Sequence, residues 1–151
     1  MSSEPETSPT LAERLHTVFD SQVMNYGAYN LVYATGCATY ASQPSDGEHH
    51  GVAQRHFIVG YRRYPSEIIV APFDPAALAS LGLPNAIDNT NLIEASSSGQ
   101  GRLRLETTSR TAFDLKVLPL VEIETAYGAE VLEQEADSED FLSYVRELVS
   151  V

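Results

Sequence analysis

The sequence predicts a single α+β domain in which a short amphipathic helix, about seven mostly antiparallel strands and a closing C-terminal helix follow one another. Three observations carry this expectation. Apolar residues recur at helical spacing near both ends of the chain, and for about a hundred residues between them the dominant period is two. The length of 151 residues and a hydrophobic content of 43% suit one packed core rather than several domains or disorder.

Residues 1–9 are Ser, Glu, Thr and Pro after the initiator Met, have no side chains to bury, and are expected to form a flexible tail. The domain proper spans residues 10–151. Thr10 and Glu13 stand at capping-box spacing, and an acid in the first turn suits the positive end of the helix dipole. Leu11, Leu15, Val18, Phe19 and Met24 then form a stripe that ends at Asn25-Tyr26-Gly27. Residues 29–41, rich in Tyr, Val and Thr, read as a strand with a possible interruption at Gly36. A polar loop, residues 42–54, follows. Residues 55–61 and 67–73 are two strands joined by the turn Arg62-Arg63-Tyr64-Pro65-Ser66. Asp74-Pro75 has the form of a helix start, and Gly82 of a stop, so one or two helical turns are expected there, then a loop over residues 83–91.

Residues 92–95 start another strand, and Gly99-Gln100-Gly101 turns the chain into residues 102–107. Here Leu103 and Leu105 face one way and Arg102, Arg104 and Glu106 the other. The next strand repeats the pattern, with Phe113, Leu115 and Val117 inward and Asp114 and Lys116 outward. Matching the two apolar faces requires an odd number of loop residues. A Thr108-Ser109-Arg110 loop sets Arg104 opposite Asp114. The alternative, Ser109-Arg110-Thr111, sets Glu106 opposite Asp114 and Arg104 opposite Lys116, so cross-strand charge favours the first. Pro119 breaks the ladder, and residues 121–123 with 129–132 form a last strand or hairpin. The final helix is expected from Asp137 or Ser138 to Val149, with Phe141, Leu142, Val145, Leu148 and Val149 as its apolar stripe.

A sheet of many short antiparallel strands bends toward a barrel or sandwich, and a terminal helix can cover its open end. Asn91-Leu92-Ile93-Glu94, the Gly99-Gln100-Gly101 turn, the alternating strand 102–107 and Phe113-Asp114-Leu115-Lys116-Val117 resemble the central part of bacterial pleckstrin-homology-like domains. Residues 141–148 stand where that family has its closing helix, so the resemblance covers roughly residues 91–148. It implies a bent sheet or partly open barrel. The N-terminal helix and the insert at residues 75–82 depart from the family. Phosphoinositide-binding members place Lys and Arg in and beside the loop after the first strand, whereas residues 42–54 carry Asp46, Glu48, His49 and His50. Headgroup binding is therefore not implied, and a scaffold for protein contacts is.

Charge excludes further classes. The net charge is −12, and from Val121 onward nine acids face Arg146 alone, a net −8. Such a field repels phosphate backbones and anionic leaflets, so neither nucleic acid nor membrane is an expected partner. A lone cysteine, Cys37, and an N-terminus without a basic, then apolar, leader point to a reducing, cytoplasmic setting. The apolar stretches, such as residues 68–71, are far too short to span a bilayer.

Candidate chemistry is sparse. Asp46, Glu48, His49, His50 and His56 place five ligand-type side chains within eleven positions. A zinc-like ion needs three or four of them converging at about 2 Å. No helical i, i+4 pair or Cys-based spacing supports that, and adjacent histidines in a polar loop are usually solvated. No metal and no other cofactor is expected, with His49, His50 and His56 as the alternative set. Cys37 reads as a small buried residue, since no base or anion-stabilising site accompanies it. Gly99-Gln100-Gly101 is too short for a phosphate loop and precedes a strand, and there is no nucleophile elbow. The aromatic-basic turn Tyr61-Arg62-Arg63-Tyr64 contains the only adjacent cations, and Tyr and Arg are enriched in interface hot spots. It is the expected interaction surface for an acidic partner, either another protein or a second copy's C-terminal segment. The sequence thus points to a non-enzymatic interaction or scaffold module. The alternative is a small enzyme or ligand-binding domain with a Tyr-lined pocket inside the sheet.

Overall fold

A computed structural model describes residues 10–23, 29–39 and 55–149. Helix α1 (Leu11–Asp20) starts as expected: Thr10 Oγ1 accepts from Glu13 N–H at 3.1 Å, and Glu13 Oε1 accepts from Thr10 N–H at 2.8 Å. Leu11, Leu15, Val18 and Phe19 are buried along one face. Met24 lies outside the described residues.

The strands are β1 (Asn30–Thr39), β2 (Arg55–Arg63), β3 (Ser66–Asp74), β4 (Ala79–Ser80), β5 (Asn85–Asp88), β6 (Leu92–Gly99), β7 (Arg102–Thr107), β8 (Ala112–Lys116), β9 (Leu120–Thr125) and β10 (Gly128–Glu133). Helix α2 (Glu135–Val149) follows. The main sheet has eight antiparallel strands in the order β4-β3-β2-β1-β8-β7-β6, with β5 sharing the outer edge of β3, while β9 and β10 form a separate hairpin. The α+β class is as the sequence predicts. The sheet is bent and does not close into a barrel. Although β5 leads directly into β6, the two lie at opposite ends of the ladder. Four residue steps from Asp88 to Leu92 reach at most ~14 Å, so the curl brings the sheet ends close together without pairing them.

Burial on both faces separates the central strands from the rest. In β2, Phe57, Val59 and Tyr61 enter a core shared with α2, whereas Ile58 enters one shared with α1 and the hairpin. β3 divides likewise, Ile68 and Val70 to one side, Ile69, Ala71 and Phe73 to the other. Covered twice, these strands read as near-continuous apolar runs, Phe57-Ile58-Val59 and residues 68–71, instead of alternating. Among the described residues, β7 and β8 are covered only on the α2 side, and their sequence alternates cleanly. Gly60 lets α1 lie flat on β2: a Cβ there would stand 2.4 Å from Phe19 Cζ. Arg14 of α1 pairs with Glu130 of β10, tying the helix to the hairpin.

Gln134 joins the layers. β8 pairs with β1 only from Thr35 onward, leaving Tyr33 without a partner strand on that edge. The Gln134 amide replaces one: Oε1 accepts from Tyr33 N–H at 2.8 Å, and Nε2 donates to Tyr33 O at 3.0 Å and Leu118 O at 2.8 Å. Its carbonyl accepts the first bond of α2 from Ser138 N–H, which is why that helix begins two or three residues earlier than expected. Phe141 and Val145 are buried as anticipated, and so is Tyr144, which the sequence stripe omits. The side chain of Val149 is outside the described set.

Three expectations are corrected. Residues 75–82 are not helical: after a turn at 75–78, β4 pairs back onto Phe73 and Asp74. The cap does form, Asp74 Oδ1 accepting from Ala76 N–H at 3.0 Å, but so short a segment cannot repay helix nucleation while the edge of β3 offers ready partners. Residues 83–91 are not all loop, because β5 pairs Asn85–Asp88 with Glu67–Val70 and buries Ile87. Gly36 does not interrupt β1. It admits the Asp114 carbonyl, which would lie 1.9 Å from a Cβ. The Arg104–Asp114 register and the three-residue loop Thr108-Ser109-Arg110 are as expected. No helix is long and apolar enough to cross a membrane among the described residues.

Candidate binding groove

Covering one half of the sheet twice leaves the other half with a face that is open among the described residues. On the outer side of β1, β8, β7 and β6 the register places Thr35, Lys116 and Arg102 side by side in one row, and Cys37, Asp114, Arg104 and Ser96 in the next. A groove of ≈ 560 Å³ runs over these residues, with Ser98 at its β6 side. β-bulges at Leu92/Glu94 and Ser97/Gly99 bend that edge strand and disfavour strand addition there.

The charges are unevenly neutralised. Arg104 is held by Asp114 at 2.7 Å and Glu106 at 3.5 Å, which raise its pKa. Arg102 and Lys116 lie directly opposite each other with no ion-pair partner among the described residues. Like charges across a ladder are unfavourable, and nothing in the packing demands them on a solvent-facing row. In a chain of net charge −12, the groove holds three cations and Asp114. Cys37, across from Asp114, is half-buried. Burial pushes its thiol pKa up and Asp114 pushes it further, against a smaller opposing effect of Arg104, so the sulfur stays protonated near neutrality.

The sequence-derived candidates are dispersed. Tyr61 is fully buried, donating to Asp140 Oδ2 at 2.7 Å and stacking on Tyr144 at 5.6 Å. Burial, then Asp140, holds its hydroxyl pKa far above the usual range. Arg63 bonds Asp140 at 3.0 Å and Glu147 at 3.2 Å and lies over Tyr144. Arg62 projects to the opposite face, bonds Glu67 at 2.8 Å and lies 4.8 Å from the Tyr29 ring centroid. Only Tyr64, at 92% exposure, is open to solvent. Strand alternation splits the four residues between faces, and carboxylates of the chain's own β3 and α2 already pair with Arg62 and Arg63.

Asp46, Glu48, His49 and His50 lie outside the described residues. His56 is half-buried on β2, sharing a hydrogen bond through Nδ1 with Tyr33 Oη and packing edge-on against Phe73. Burial lowers its pKa and raises that of Tyr33 to about 12, so both are neutral near pH 7. Among the described residues, no group of three or more His, Cys, Asp or Glu side chains could hold a metal ion.

The basic row is legible in the sequence. Both registers weighed for the hairpin set an arginine opposite Lys116: Arg102 in the observed one, Arg104 in the other. Ser96 and Ser98 had no such signal, because the bulges in β6 shift its alternation. No family model, curated protein or solved structure matches the chain.

Proposed function

We propose that the chain is a non-enzymatic protein-interaction module that binds an acidic segment of a partner protein in the groove across β1, β8, β7 and β6. The observation carrying this reading is the unneutralised Arg102–Lys116 pair. A locally unfavourable feature without a compensating contact among the described residues is what a binding surface retains, because a partner's carboxylates supply the missing charge. The hydroxyls of Thr35, Ser96 and Ser98 add hydrogen-bonding capacity for carboxylate or backbone groups. A nucleic acid fits poorly, since the cations form a short patch rather than a stripe and the remaining surface is strongly acidic. The enzymatic alternative lacks support in the groove, where the thiol is protonated and the nearest carboxylate is held by Arg104.

A pleckstrin-homology-like scaffold and a cytoplasmic setting belong to the same reading. The packing of α2 across the concave side of the sheet favours the first, and a lone cysteine the second. Fluorescence anisotropy with a labelled Glu/Asp-rich peptide tests the function. Binding is expected to weaken as salt rises and to be lost in Arg102→Ser/Lys116→Ser, while the unfolding midpoint of that variant stays equal or increases. Undiminished peptide binding by the double variant would overturn the reading.

A further inference from the structure

A cavity separate from the groove lies at the seam of the curled sheet. β5 and β6 are consecutive but unpaired, so no ladder closes the gap between them. The cavity there has a volume of ≈ 190 Å³. Ile68 and Ile87, cross-strand partners on β3 and β5, form its floor, Tyr144 of α2 one wall, and all three are buried. Leu92 and Leu148 are half-buried at the mouth, beside Asp88 and Asn89. Away from Asp88 and Asn89 at the mouth, the lining is apolar except where Ser66 Oγ and Tyr144 Oη share a hydrogen bond. The rim is fixed in position: Asn91 Oδ1 accepts from Asp88 N–H at 2.9 Å, and Asn91 O accepts from Thr108 N–H at 2.8 Å.

We propose that this seam binds a small uncharged amphiphile, an apolar body of phenyl size carrying one hydroxyl. Size sets the body. A dry apolar cavity of about 150 Å³ accommodates benzene, so this one has room for a ring and one or two further heavy atoms. It is too small for a drug-sized ligand or a lipid chain, whose pockets run from about 300 Å³ upward. Chemistry sets the head group. Tyr144 Oη also takes a hydrogen bond from the Glu67 backbone, and the Ser66–Tyr144 pair keeps one O–H donor and the Ser66 Oγ acceptor for a ligand hydroxyl. Burial keeps the Tyr144 phenol protonated and able to donate. A carboxylate head is disfavoured by Asp88 at the rim, which hydrogen bonds from Thr90 hold in its ionised form.

The probe is 4-methylphenol, titrated into the full chain while methyl resonances of isoleucine and leucine are followed by NMR. Saturable shifts of Ile68, Ile87, Leu92 and Leu148 are expected, with 4-methylbenzoate binding at least tenfold more weakly. Leu148→Trp and Leu92→Phe each fill the mouth and are expected to lower affinity at least tenfold. Both alter the rim and not the buried floor, so one remains informative if the other misfolds. Arg102→Ser/Lys116→Ser should leave the titration unchanged, which separates this site from the groove. Shifts that stay linear with concentration, equal binding of the benzoate, or unaltered affinity in a folded mouth-filling variant would each overturn the proposal.

Discussion

Gln134→Leu removes the side-chain amide that stands in for a strand beside Tyr33. Leucine has similar size and suits a buried position, so a simple hydrophobic argument expects a neutral or stabilising change. Hydrogen-bond accounting expects the reverse. Three backbone groups, Tyr33 N–H, Tyr33 C=O and Leu118 C=O, lose bonds of 2.8, 3.0 and 2.8 Å, and leucine blocks water from replacing them. Leaving a buried polar group unsatisfied costs ~1–3 kcal/mol, so the two buried Tyr33 groups and the part-buried Leu118 C=O together cost about 3 kcal/mol. For a domain of this size that corresponds to a fall in Tm of about 6–12 °C. Gln134→Ala loses the same bonds but opens space for a bridging water, and is expected to cost no more than the leucine variant despite its smaller apolar side chain. Urea unfolding followed by circular dichroism, with m held constant, measures both. A leucine variant within 1 °C of wild type, or clearly more stable than the alanine one, would refute the claim that this amide completes the sheet.

Gly60→Ala is expected to cost ~1–3 kcal/mol by driving a methyl group into the Phe19 ring, with urea denaturation of Phe19→Leu/Gly60→Ala showing partial recovery. Hydrogen bonds from Arg63 and Tyr61 hold the Asp140 carboxyl below its ordinary 3.8. A depressed folded-state pKa gives stability that is fully present above 3.8 and lost as pH falls through the lower folded value. Arg63→Gln should therefore flatten the acid limb of a Tm-versus-pH curve below about pH 4, and an acid limb identical to wild type would exclude Asp140 as its source.

What the sequence determined by itself lies within short stretches of chain. The capping box of α1 needs only Thr10 and Glu13, the β7–β8 register only the alternation of two neighbouring strands and one charge pair, and the hairpin β9–β10 only the break at Pro119. These features rest on local sterics and periodicity, which a few residues encode. The tertiary structure decided the rest. β4 and β5 exist because β3 presents a free edge, so weak strand formers pair there and a locally plausible helix does not form. Arg63 meets Asp140 across 77 residues and Gln134 meets Tyr33 across 101, contacts set by the path of the chain and not by any pattern within it. The groove and the seam have the same origin. One is the polar half of a sheet that α1 and the hairpin leave uncovered, and the other is the gap where the sheet curls toward itself without pairing. Neither is a property of any single segment, because each depends on which faces and edges the packed layers leave unsatisfied.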